Sequence, residues 1–291
     1  MEMNNSDFVF QTDSKIVQKM FEKDNYLVVY DETCEDKNSC AIYFSSNDIY
    51  FPNTEEVFRK RIVEKDFYEM YLTRVNGAYK HVFVRDIQKQ WYIGGINSRI
   101  HSPELLLEFL QEETRGYSLT TIGSSAGGYA AVLYGSLLSA NRVFSFNGQF
   151  EVSSLLKIST PAVDPLLFRN AASPLAKYFD IRELINPSIN IYYFSSLDSE
   201  WDSQQYRHIQ DITYVKPILF KTSHHGVPFV KSALPVVINM ESQALDKMVG
   251  KRFNPVFFSI KRAGLIKTLK VLYAQLISKL AKSKNERNFG R

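Results

Sequence analysis

Residues 123–127 read Gly-Ser-Ser-Ala-Gly, a G-x-S-x-G pattern with Ser125 at its centre. A serine hydroxyl is a weak nucleophile until a base takes its proton, so such a serine implies a base and an acid elsewhere in the chain. The flanking sequence supports the reading: LTTI precedes the pattern as a buried strand, and AGGYAAVLYGSLLS follows it as a helix. A tight strand-to-helix turn would hold the hydroxyl exposed above a sheet. The glycines on either side let neighbouring backbone come close. The chemistry implied is acyl transfer through a covalent acyl-serine.

The base is expected after the nucleophile in chain order. The stretch ILFKTSHHGVPF places His224 and His225 in a loop behind the strand 215–220. Gly226 gives that loop freedom to aim the preceding ring, which favours His225, with His224 as its competitor. The acid must hold the histidine tautomer and stabilise the imidazolium. INIYYFSS runs into LDSEWD, and Asp198 falls two residues past the strand, with Asp202 and then Glu200 as alternatives. For the oxyanion, one backbone donor is expected at Ala126. A second is expected in the loop after HVFVRD, at Ile87 or Gln88. Arg85 and Asp86 close that strand, either as a structural ion pair or as part of the pocket. The adjacent histidines have no third His or Cys close in sequence, so no metal site is expected. The only cysteines, Cys34 and Cys40, read as free thiols.

The elements that must position these residues are legible as short apolar runs rich in β-branched and aromatic residues. They lie at 26–30, 41–46, 81–86, 119–124, 142–147, 189–196 and 215–220, and read as strands buried on both faces. Helical patterns fall between most of them, at Glu55 to Asp66, Pro103 to Thr114 and Ala126 to Ser139. Such alternation predicts an α/β fold with a doubly wound, mostly parallel sheet. Residues 1–250 are read as one catalytic domain. The Pro-containing stretch 149–188 would lie over the carboxyl ends of the strands as a helical cap.

Residues 81–230 resemble the α/β-hydrolase superfamily in motif, order and spacing. The pair RDIQKQWYIGGI and TIGSSAGGYAAVLYG is also similar to hydrolase-like proteins of bacterial surface-polysaccharide loci, some of which are O-acetyltransferases. That resemblance implies an acyl-enzyme at Ser125, acetyl-CoA as a donor with no tightly bound cofactor, and a carbohydrate or polysaccharide hydroxyl as acceptor. No glycine-rich phosphate loop accompanies it. An esterase acting on a carbohydrate or small acyl ester would use the same residues. A non-catalytic scaffold on the same fold, held at a membrane, is the alternative of another class.

Charge is unevenly spread. Residues 251–291 hold eleven of the 35 Lys and Arg but one of the 31 Asp and Glu, which leaves the preceding body acidic. Within 258–283, Leu265, Leu269, Leu272, Leu276 and Leu280 recur at helical spacing, so this basic amphipathic tail predicts a partner. An anionic membrane surface is one, drawn by charge and seated by leucine. A partner protein, or packing on the body, is the other. Nucleic acid is not expected, because the body is acidic and no reading motif accompanies the tail. The N-terminal stretch MEMNNSDFVFQTDSK has neither a basic nor an apolar signal region, and no run approaches the ~18 apolar residues of a membrane span. A cytoplasmic location is expected, with the tail able to meet the inner face of the membrane.

Overall fold

The structure, a computed structural model, describes residues 8–289, with side chains described as far as 277. Eight strands form one sheet: β1 (Tyr26–Tyr30), β2 (Ser39–Phe44), β3 (Lys80–Val84), β4 (Ser118–Ser124), β5 (Arg142–Phe146), β6 (Asn190–Ser196), β7 (Val215–Phe220) and β8 (Arg252–Phe253). Their order across the sheet is β1-β3-β2-β4-β5-β6-β7-β8, with β1 antiparallel to β3 and every other pair parallel. This is an α/β-hydrolase-like architecture, and the seven runs read from sequence are its first seven strands. The eighth is two residues long and was not expected.

Both faces of the sheet are covered. One face carries Ile42, Phe44, Val143 and Tyr193 under two long helices, α1 (Pro103–Thr114) and α2 (Ala126–Leu137). Ser102 opens α1 by accepting the Leu105 N–H, and Pro103 occupies the first turn, where a missing N–H costs nothing. The other face carries Tyr43 and Phe83, which stack on each other, and Phe146, Phe194 and Phe220, whose rings meet in a chain that ends on Phe229 and Phe258. Burial on both faces explains why these strands read as continuous apolar runs. The helix expected at 55–66 begins at Glu55 and loosens from Arg59 to Glu64 into a wider turn.

Three further parts position the site. Between β5 and β6, the stretch 151–188 forms short helical pieces at Leu155–Ile158, Pro165–Asn170, Pro174–Tyr178 and Arg182–Leu184. After β6 comes α3 (Glu200–Ile209). The chain ends in α4 (Pro255–Ala263) and α5 (Leu265–Phe289), parted at Gly264, whose φ of 87° only glycine adopts readily. The expected boundary at residue 250 does not separate two units, because Arg252–Phe253 completes the sheet and Phe258 is buried against Phe220, Phe229 and Phe253. Nor is 258–283 one continuous helix, since Gly264 interrupts it. The side chain of Leu280 lies outside the described residues. Among the described residues no helix is long and apolar enough to cross a membrane.

Candidate active site

Ser125 occupies the turn between β4 and α2 with φ 55° and ψ −126°, a region that non-glycine residues rarely adopt. What keeps it there is backbone contact on both sides. A Cβ on Gly123 would stand 2.0 Å from the Gly127 carbonyl oxygen, and one on Gly127 would stand 2.2 Å from that of Phe44. The two glycines of the motif are therefore required by space, and the serine between them takes up the strain.

His225 reaches the turn from the loop after β7. Its Nε2 lies 2.8 Å from Ser125 Oγ, and its Nδ1 lies 2.8 Å from an oxygen of Asp202. Ser125, His225 and Asp202 thus form one hydrogen-bonded row. The expected acid, Asp198, is not part of it. The Asp198 backbone N–H donates to the Thr222 carbonyl, and the residue lines a separate depression of about 390 Å³ with Arg207, Lys221 and Arg252. The physical reason is the start of α3. Ser199 caps that helix, so the chain stops being a loop at Glu200, and the first turn carries Asp202 inward to complete burial. Glu200, on the outer side of the same turn, pairs with Arg207. His224 does not take the place of the base.

The His225 loop is held by residues that the sequence did not single out. Asn147, just past β5, donates from Nδ2 to the carbonyl oxygens of His224 and Gly226, at 3.3 and 2.9 Å, and to Ser196 Oγ at 2.7 Å. Ser196, the last residue of β6, donates its hydroxyl to the same His224 carbonyl at 2.7 Å. The carbonyls on both sides of His225 are therefore tied to two neighbouring strands. Gly226 supports this with a φ of 98°, and the Trp201 ring stacks on the imidazole at 5.6 Å between centroids. An Asn that ends an apolar run, as in RVFSFN, is the one trace of this in the sequence.

Of the two expected oxyanion donors, Ala126 and Ile87, only the first adjoins Ser125. The N–H of Ala126 opens α2 and the N–H of Asn47 opens the short turn Asn47–Ile49, and neither donates to another group among the described residues. Ile87, expected as the second donor, is elsewhere. It packs with Ile49, Tyr50, Phe58 and Ile62, and its carbonyl accepts the Tyr50 hydroxyl. The correction follows from strand order. β2, not β3, lies beside β4, so the loop after β2 borders the Ser125 turn. That loop is clamped by Glu69, a half-buried carboxylate that accepts the Ser46 N–H at 2.8 Å and the Ser46 hydroxyl at 2.9 Å. Burial pushes the Glu69 carboxyl up, against the lowering effect of these two bonds.

Arg85 and Asp86 are structural. Arg85 is buried and pairs with Asp66 at 2.8 Å. The Asp86 carboxylate accepts four backbone N–H groups, from Gln88, Lys89, Gln90 and Tyr92, and so folds the following loop around itself. Lys89, Trp91 and Tyr92 all take positive φ there. Burial raises the Asp86 carboxyl, and these four donors oppose the rise. Burial also pushes Lys89 down to about 8.

Ser125 and His225 open into a cavity of about 460 Å³. Asn47 and Asp48 line it from the β2 loop, Trp91 from the Asp86-anchored loop, Trp201 from α3, and Leu155, Ile158, Ser159, Val163 and Asp164 from the 151–188 stretch. Both tryptophans of the chain are here, with two carboxylates and no Lys or Arg. No group of three or more His, Cys, Asp or Glu suited to a metal ion occurs among the described residues.

A serine, a histidine and an aspartate in one hydrogen-bonded row on an α/β-hydrolase-like sheet are an arrangement that can carry out serine acyl chemistry. Neither a family model nor a curated protein matches this chain. Among solved structures it is similar to a capsule O-acetyltransferase of Neisseria meningitidis serogroup A, with TM-score 0.46 and 14% identity over 68% of this chain and 83% of that one. A further match is a Glycosylation Associate Protein (Gap123) complex from Streptococcus agalactiae, with TM-score 0.44 and 15% identity over 67% and 39%. Another is an S-formylglutathione hydrolase from Staphylococcus aureus, with TM-score 0.40 and 11% identity over 67% and 82%.

Proposed function

We propose that this protein transfers an acyl group through Ser125 to a sugar hydroxyl, as in O-acetylation of a bacterial surface polysaccharide or its precursor. The observation that carries the reading is the row Ser125–His225–Asp202, with both links at 2.8 Å. Ser125 Oγ attacks the acyl carbonyl as its proton passes to His225 Nε2, and Asp202 stabilises the imidazolium. The tetrahedral oxyanion accepts from the N–H groups of Ala126 and Asn47. Collapse expels the thiol or alcohol of the donor, which takes the proton from His225. An acceptor hydroxyl then gives its proton to His225 and attacks the acyl-serine, and the proton returns to Ser125 as the new ester leaves.

Acetyl-CoA is the proposed donor, and one structure of the capsule O-acetyltransferase is a complex with CoA. The cavity suits the uncharged acyl-thioester end of such a donor. With no Lys or Arg lining it, the donor's phosphates would stay outside. A neutral sugar suits the remainder: indole rings offer faces for C–H groups, while Asp48, Asn47, Ser159 and Asp164 offer hydrogen-bond partners to hydroxyls.

The test is incubation with acetyl-CoA and a panel of neutral oligosaccharides, set beside a simple acetyl ester. Thiol release that depends on sugar, with acetylated sugar by mass, supports transfer. Ester cleavage that no sugar accelerates identifies the protein as an esterase. If a fluorophosphonate probe fails to label Ser125 and neither substrate is consumed, the catalytic reading fails and a scaffold role takes its place.

A further inference from the structure

Eight of the seventeen exposed large apolar side chains among the described residues fall within residues 256–277. Six of them, Leu265, Ile266, Leu269, Tyr273, Leu276 and Ile277, lie on α5, and Ile266 is 70% exposed. These six fall within a sector roughly 120° wide at 3.6 residues per turn, and run about 20 Å along the axis. Thr268 lies outside the sector. It is fully buried, and its hydroxyl stands 3.2 Å from that of Ser232 on the body. The apolar sector is therefore turned away from the body and, among the described residues, stays about half exposed or more. Lys270 borders it, with Lys267 next around the helix. Residues 251–277 contain six Lys and Arg and no acid.

We infer that this sector seats the protein on the surface of an anionic lipid bilayer, with the leucine, isoleucine and tyrosine side chains in the acyl boundary and the lysines among the headgroups. Charge selects this occupant over a second copy of the chain. Two such helices packed face to face would bring their like charges together, whereas an anionic leaflet neutralises them. The orientation is set from the body side. Phe258 is buried in the sheet's aromatic row, and Ser259 Oγ accepts the Val230 N–H at 3.0 Å, so α4 fixes where α5 begins.

The experiment is co-sedimentation of the full chain with vesicles of phosphatidylcholine alone or with phosphatidylglycerol. Binding is expected only with phosphatidylglycerol, falling about tenfold or more between about 0.05 and about 0.5 M salt as the attraction is screened. Lys267→Ala and Lys270→Ala should each weaken it about fivefold. Leu269→Glu combined with Leu276→Glu should abolish it while leaving turnover of a soluble acetyl ester unchanged. Absence of binding at the lowest salt overturns the inference, and so does undiminished binding by the double Glu variant. A full chain that is dimeric by light scattering, ignores vesicles and becomes monomeric in that variant overturns it in favour of a second copy. None of these outcomes depends on Ser125, so the proposed reaction stands or falls separately.

Discussion

The Ser125 turn and the C-terminal helices use similar side chains to opposite ends. Around Ser125 every residue of α2 from Ala126 to Ser136 is buried, and backbone atoms approach so closely that two positions admit glycine alone. Along α5 the leucines and isoleucines meet solvent instead. The joint between these regimes is α4, whose Phe258 belongs to the core while Phe257 beside it is 74% exposed. Periodicity alone reports that a helix has an apolar face. What lies against that face is decided by elements distant in the chain.

The sharpest way to break the comparison is at the turn. Ser125→Ala should lower turnover by about 10⁴-fold or more with the fold intact, and His225→Ala by a similar factor, with the double variant little worse because the residues act as a unit. Next comes the acid. Asp202→Asn should cost about 10⁴-fold in kcat by losing the imidazolium's partner and the correct tautomer, whereas Asp198→Asn should be close to wild type. If the two behave the other way round, the row described here is not the working one.

Stability should sharpen the contrast at the other end. Phe258→Ala should destabilise the protein by about 3–5 kcal/mol in denaturant melts, as expected for a buried aromatic. Leu269→Ala should stay within about 0.5 kcal/mol. A large loss at Leu269 would mean that the face is packed after all. Among the variants expected to slow turnover, the mildest is at Glu69. Glu69→Gln keeps an acceptor for Ser46 and should lower kcat only several-fold. Glu69→Ala frees the loop that presents Asn47 and should lower it further, with KM for the acyl donor less affected.

What could be read without coordinates was whatever depends on neighbours in sequence. The Gly123–Gly127 turn is a local steric demand, and the place of His225 follows from the order of strands along the chain. The acid was misplaced because LDSEWD looks like a loop until Ser199 is known to cap a helix, and one turn of helix exchanges the inward acid for the outward one. The loop beside the Ser125 turn was misplaced because the order of strands across the sheet, unlike their order along the chain, is settled by tertiary packing. β8 was missed for the same reason: Arg252 and Phe253 are a strand only by virtue of Leu219 and Phe220 beside them. Asn147 and Ser196 are ordinary polar residues until β5 and β6 are laid side by side.

The inward acid also has an electrostatic consequence. Ser125 immediately precedes the first residue of α2, and Asp202 sits in the first turn of α3, so two helices direct the positive ends of their macrodipoles at the same row of atoms. In the proposed reaction one end favours the oxyanion that forms beside Ala126, and the other lies at Asp202. The cavity lining contains no Lys or Arg; what favours an oxyanion there is the field of peptide groups. Such a field is fixed in direction, costs no side-chain ordering when a substrate arrives and is poorly reached by dissolved ions. The chemical step should therefore be nearly indifferent to ionic strength, even where contact with a lipid surface is not.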